Sequence, residues 1–178
     1  YTVNCRFVDG PGLYIAAYDP TLVTQIWRTN QSGGAGAEDL MSGSMALNTT
    51  SSTLFYNPFF TSGSATGLYA LNSATGAQRW LQSITPTSRL AIDSSNIYLC
   101  EGNTSTYFPS SGGAYPFTAT ALVARRQSDG TVAWTQPLTD TGKQSPILAN
   151  GLVIVGTTTS VKAYLATTGV LQWTAVVP

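Results

Sequence analysis

The sequence predicts an all-β chain, a β-propeller built from four-stranded antiparallel blades, with four repeat units. Three observations carry that prediction. Each of the four tryptophans, Trp27, Trp80, Trp134 and Trp173, stands ten residues after an alanine: Ala17, Ala70, Ala124 and Ala163. Three of them also stand four residues after a glycine, namely Gly76, Gly130 and Gly169, while the first repeat has Val23 there. The tryptophans are 53, 54 and 39 residues apart, the size of one four-stranded blade. No segment carries an apolar period of 3.6, so essentially no helix is expected.

The elements follow in order. Thr2 to Val8 reads as extended, and Asp9-Gly10-Pro11-Gly12 as a turn. Leu13 to Trp27 is the first hairpin, with Asp19-Pro20 in its turn. Residues 28–46 are polar and read as an extended loop or an irregular strand. Leu54-Phe55-Tyr56 is a strand, with an insertion from Pro58 to Gly63 after it. Leu68 to Leu81 is the second hairpin, with Gly76 free to take positive φ in its turn. Ser88 to Cys100 gives two strands around Asp93-Ser94-Ser95, and a long insertion runs from Glu101 to about Phe117. Ala121 to Trp134 is the third hairpin. The last repeat is the shortest, with an Asn150-Gly151 hairpin turn and strands near 145–149, 152–155, 161–165 and 170–174. The expected repeat boundaries within this single domain are 1–27, 28–80, 81–134 and 135–178.

Composition narrows the function classes. Charged residues are 9% of the 178, with eight basic and eight acidic side chains, so steering toward nucleic acid or an anionic membrane is not expected. No apolar run is long enough to span a bilayer as a helix. Tyr1 reads as a processed end or the start of a trimmed fragment. Abundant Ser, Thr, Gly and aromatics with little charge suit an extracellular or cell-surface β-protein. Cys5 and Cys100 are candidates for one disulfide, with two buried thiols as the alternative. Three sequons make Asn30, Asn48 and Asn103 candidate N-glycosylation sites.

The Ala, Gly and Trp spacing resembles the tryptophan-docking motif of the PQQ-like, quinoprotein-type propeller repeat. Ala70-Gly76-Trp80, Ala124-Gly130-Trp134 and Ala163-Gly169-Trp173 match it, and Ala17 with Trp27 forms a degenerate copy. The resemblance implies that each Trp packs between adjacent blades, against the neighbour's Ala and Gly backbone. Cofactor-using members of that family also carry a disulfide of adjacent cysteines, a calcium site of Glu and Asn, and an Asp base over the quinone. This chain has no adjacent cysteine pair, and Asp19, Asp93 and Asp129 fall in repeat turns, where Asp suits the turn. No cofactor or metal is therefore expected. With no histidine, Ser-His and Cys-His pairs are excluded. Arg125-Arg126 reads as one solvated and one edge side chain rather than an anion site.

The insertions remain as the place for function. One carries Phe59 and Phe60; the other carries Tyr107, Phe108, Tyr115 and Phe117. Equivalent loops of a propeller emerge on one face, so these aromatics form a candidate contact surface, or else cap their own sheets. The expected function is a non-catalytic extracellular module, structural or adhesive, in a larger assembly. Its expected partners are other protein chains, copies of itself among them, or glycans. The alternatives are a fragment of a PQQ-dependent dehydrogenase and a carbohydrate-binding propeller.

Overall fold

The computed structural model describes residues 2–4, 13–19, 21, 24–31, 41–59, 67–85, 87–103, 118–139 and 145–177. Among them are fifteen strands and no helix. The chain divides into two compact units, Tyr1–Leu81 and Gln82–Pro178.

The first unit holds two sheets. β1 (Thr2–Asn4), β2 (Leu13–Tyr18) and β3 (Gln25–Gln31) form a three-stranded sheet among the described residues. β4 (Met41–Asn48), β5 (Thr53–Phe59), β6 (Leu68–Asn72) and β7 (Gln78–Gln82) form a four-stranded one. The second unit holds two four-stranded sheets. These are β8 (Ala91–Ile92), β9 (Asn96–Asn103), β10 (Thr118–Arg126) and β11 (Val132–Pro137), then β12 (Ile147–Ala149), β13 (Leu152–Gly156), β14 (Ser160–Leu165) and β15 (Leu171–Val176). Every sheet is an antiparallel meander in chain order.

Of the two readings of the polar stretch 28–46, the strand one holds at both described ends, as β3 runs to Gln31 and β4 begins at Met41. One expectation is corrected. The insertion expected from Pro58 starts later, because β5 continues through Phe59, which pairs with Met41. Pro58 lacks an N–H, and the register of this pair shifts between Met41 and Ser44.

The hairpins contain a device that plain alternation does not reveal. In three of them the register slips by one residue directly after the alanine. Ala17 opposes Trp27 but Tyr18 opposes Gln25; Ala124 opposes Trp134 but Arg125 opposes Val132; Ala163 opposes Trp173 but Tyr164 opposes Leu171. The extra residue just before each Trp is a β-bulge, which bends and twists the outer strand and re-aims the side chain that follows.

Each unit has its own core. In the first, Ile15, Ala17 and Trp27 pack with Leu54, Tyr56, Tyr69 and Leu71. In the second, Tyr98, Leu122, Ala124 and Trp134 pack with Val153, Val155, Tyr164 and Ala166. Both cores join two sheets, so apolar burial holds the two blades of each unit together.

Candidate functional site

The repeat turns are the first component of the site. Gly76 (φ 72), Gly130 (φ 74) and Gly169 (φ 75) are all left-handed. Each closes the same loop, with its N–H donated to the carbonyl four residues back: Asn72, Arg126 and Leu165, at 2.8, 2.9 and 2.7 Å. The first repeat keeps the outer bond of this turn, Asp19 N to Thr24 O at 3.0 Å, although Val23 stands at the glycine position.

Two turns receive a tryptophan from the preceding blade. A Cβ on Gly76 would lie 2.5 Å from Trp27 Cε3, and one on Gly169 would lie 2.7 Å from Trp134 Cδ2. The absent side chain is thus the seat of the ring. The indole N–H fixes the orientation. Trp27 Nε1 donates to Ser73 O at 2.9 Å, and Trp134 Nε1 donates to Ala166 O at 2.8 Å. Both acceptors lie three residues before the glycine. The two rings are 7% and 9% exposed.

The alanines act within their own blades. Ala70 lies opposite Phe55 in the ladder, and Ala124 lies between Tyr98 and Trp134. Strands are about 4.8 Å apart, so residues two strands away can meet only over a small one. Over Ala124 the Tyr98 and Trp134 rings approach to 5.9 Å, and Phe55 and Trp80 meet at 5.9 Å in the second blade. Phe55 and Tyr98 were not singled out by sequence. They precede their alanines by 15 and 26 residues, because insertions of different length intervene. A fixed-spacing search does not align them.

The corresponding row in the last blade is Ile147, Ile154, Ala163 and Trp173. Ala163 is fully buried, but Ile147 is 60% and Trp173 42% exposed. All of β15 is exposed, Leu171 and Val176 included. Neither Ile147 nor Ile154 carries a spacing signal of its own.

Polar groups near the turns serve the turns. Asp93 Oδ1 accepts from the N–H groups of Ser95 and Asn96, both at 2.7 Å, while Oδ2 accepts from the Tyr98 hydroxyl at 2.6 Å. Burial, followed by that carboxylate, pushes the Tyr98 phenol well above its ordinary range. Asp129 accepts from the Thr131 hydroxyl and N–H, which hold its carboxyl below the usual value. Asp19 accepts from the Thr21 hydroxyl at 2.7 Å. Arg125 is buried and bidentate on Glu101, at 2.6 and 2.9 Å, with its third bond to Gly130 O at 2.9 Å. Its charge is spent inside the blade rather than offered to an anion. Arg126 is exposed and donates to Val132 O.

The other sequence candidates are placed as follows. Asn30 lies in β3, Asn48 ends β4 and Asn103 ends β9. Asn48 Oδ1 accepts from Thr50 N at 3.0 Å. Cys100 is 1% exposed in β9, and burial pushes its thiol up to about 11; Cys5 lies outside the described residues. Phe60, Tyr107, Phe108, Tyr115 and Phe117 also lie outside them, and Phe59 is described only as the end of β5.

Solved structures share this architecture. BamB from Moraxella catarrhalis matches 98% of the chain at 18% identity with a TM-score of 0.62, and the chain spans 47% of that protein. Quinohemoprotein alcohol dehydrogenase ADHIIG from Pseudomonas putida HK5 matches 72% of the chain at 19% identity and a TM-score of 0.50, over 20% of its own length. A europium-containing methanol dehydrogenase matches 78% at 16% identity and a TM-score of 0.52, over 25% of its length. At these identities the likeness is one of fold. Among curated protein sequences no relative matches the chain. The family model described as outer membrane protein assembly factor BamB matches residues 65–178, more than half of the chain. The chain is a β-propeller protein and belongs to this BamB-like family of PQQ-like repeats.

Proposed function

We propose that the chain is a non-catalytic propeller module that binds other proteins within an extracytoplasmic assembly. One observation carries this proposal: the last blade presents Ile147 and Trp173 to solvent, whereas Trp27 and Trp134 are seated in neighbouring turns. Exposed apolar surface of this kind marks protein contact. The family description supports the same direction, since it names an assembly factor.

Among the described residues, the acidic groups do not fit the calcium site that the resemblance to cofactor-using members of the repeat family implies. A calcium site needs several oxygen ligands converging on one point. Asp93 and Asp129 are each bonded within their own turns, and Glu101 is held by Arg125. Among the described residues, no three of His, Cys, Asp and Glu stand together as metal ligands.

An extracellular or cell-envelope location, a Cys5–Cys100 disulfide and glycans at Asn30, Asn48 and Asn103 belong to the same proposal. The aromatic insertions offer a second contact surface, for protein or glycan. The test immobilises the purified chain and probes it with a cell-envelope protein extract, in parallel with quinone-dependent dye reduction and a glycan array. Saturable capture of a protein that Trp173→Ala weakens is the expected result. Dye reduction requiring added PQQ and calcium would overturn the proposal, and specific glycan hits would favour carbohydrate binding.

A further inference from the structure

Tyr98 has a hydroxyl that its place in the fold does not require. It stands beside the alanine of its sheet, where the other sheets carry Val3, Phe55 and Ile154. Asp93 likewise has one oxygen more than its turn uses. Its Oδ1 accepts from the N–H groups of both Ser95 and Asn96 at 2.7 Å. In the β4–β5 turn an asparagine fills that role, with Asn48 Oδ1 accepting from Thr50 N at 3.0 Å and Ser51 N at 3.2 Å. The second oxygen of Asp93 faces Tyr98.

Tyr98 Oη stands between two acceptors. Asp93 Oδ2 is 2.6 Å away, and Ala166 O, in the turn between β14 and β15, is 3.2 Å away. Asn96 Nδ2 approaches from the donor side at 3.4 Å. A phenol has one proton and serves one acceptor at a time. While Asp93 is a carboxylate, the shorter, charge-assisted bond takes that proton. Ala166 O then keeps the Trp134 indole N–H at 2.8 Å and faces the Tyr98 oxygen with no proton between them. Burial, and then the neighbouring carboxylate, hold the Tyr98 phenol far above its ordinary value, so it stays protonated whichever acceptor it serves.

Protonation of Asp93 reverses this arrangement. Oδ1 is committed to two N–H donors, so the acid proton sits on Oδ2. Oδ2–H then donates to Tyr98 Oη, and Tyr98 turns its own O–H to Ala166 O. We infer that Asp93 and Tyr98 form a proton-operated latch between the β8–β11 and β12–β15 sheets. One proton taken up at Asp93 makes one new hydrogen bond across the seam, from Tyr98 to Ala166. Asp93 is half-buried, so that proton comes from solvent. The groups packed around it leave the switch to this pair. The β10–β11 turn brings Gln127, whose amide donates to the Asp93 and Asn96 carbonyls at 2.8 and 3.1 Å. Its charged neighbours are bonded elsewhere, Arg126 to Val132 O and Asp129 to Thr131. The turn from the next sheet is Ala166-Thr167-Thr168-Gly169, with no titratable side chain.

The test reads the Ala166 carbonyl by 13C NMR in the 178-residue chain, since a second donor moves a carbonyl resonance downfield. Asp93→Asn imitates the protonated acid at neutral pH. Its Oδ1 keeps the turn, as Asn48 does, and its Nδ2 presents a hydrogen to Tyr98. The Ala166 carbonyl of Asp93→Asn should therefore lie downfield of the parent at neutral pH. That difference should vanish when both chains also carry Tyr98→Phe, a change that Phe55 shows the fold to accommodate. In the parent, acid should move the Ala166 carbonyl downfield with the same midpoint as the Asp93 carboxyl carbon.

Three results would overturn the inference. In the first, the Ala166 carbonyl is the same in the parent and in folded Asp93→Asn. In the second, the difference survives Tyr98→Phe, so that loss of charge alone produces it. In the third, the Ala166 carbonyl of Asp93→Asn still responds to acid as the parent does. If Tyr98→Phe does not fold, Asp93→Asn decides alone: its Ala166 carbonyl should stand at the parent's acid position and stay there as pH falls. If the parent unfolds before Asp93 titrates, the comparison at neutral pH decides.

Discussion

Replacing Gly169 by alanine tests the blade joint most directly. Two costs add there. The backbone is left-handed at φ 75, which costs an L-residue about 1–2 kcal/mol. The new Cβ would also stand 2.7 Å from Trp134 Cδ2 and 2.8 Å from Cε3, and overpacking of this kind costs about 1–3 kcal/mol. The expected loss is therefore about 2–5 kcal/mol. Gly151 is the control. Its φ is 73, but a Cβ there meets nothing within 4 Å. Gly151→Ala should cost only the backbone part, about 1–2 kcal/mol. Left-handed Asn150 and Ser52 show that the fold accepts side chains in such a conformation where space allows. Urea unfolding of both variants, followed by tryptophan fluorescence, measures the difference. The cycle is completed in a Trp134→Ala background, where the excess cost of Gly169→Ala over Gly151→Ala should vanish. Equal destabilisation by the two glycine substitutions in the parent chain would refute the ring-on-glycine account.

Other consequences can be checked separately. Trp134→Ala removes both the ring and its bond to Ala166 O, and should cost about 3–5 kcal/mol in urea unfolding. Arg125→Ala leaves Glu101 without its buried partner and should cost about 3–5 kcal/mol; an Arg125→Met, Glu101→Leu double variant should recover most of it. Tyr69, Tyr98 and Tyr164 all have phenols raised by burial, so the folded chain keeps protons that the unfolded chain releases near 10.0. Stability from these groups is full below that pH and falls as pH rises toward their folded pKa values; ultraviolet phenolate titration with parallel unfolding reads it. A single ordinary titration step with the fold intact would contradict that. For Asp129 the sign reverses, since its lowered pKa contributes stability above 3.8 that is lost as pH falls through the folded value. Alkylation of the denatured, unreduced chain followed by intact-mass measurement decides the Cys5–Cys100 bridge: a disulfide leaves both cysteines unlabelled, whereas two buried thiols both become labelled once unfolding exposes them.

The recurrence of Ala, Gly and Trp at fixed distances was enough to predict strands, turns and blade count, because each repeat needs the same three small or flat shapes. Turn chemistry was legible too: Asp93 and Asp129 bond their own turns, as short carboxylates do. The bulge was not legible, because a one-residue slip leaves the spacing unchanged and only the ladder shows it. Phe55 and Tyr98 were hidden by insertions of unequal length, although each occupies the place beside the docking alanine. The burial of Arg125 follows from Glu101 lying 24 residues away on the paired strand, a proximity that sequence distance conceals.

By itself, then, the sequence determined the repeat, the turn conformations and the chemical kind of joint, since these depend on residue type and local spacing. Tertiary structure alone decided which tryptophan is satisfied. Trp134 and Trp173 stand in the same local pattern, ten residues after an alanine and four after a glycine. One is 9% exposed and the other 42%, because burial depends on what packs against a face, and the next sheet brings Gly169 under the first ring.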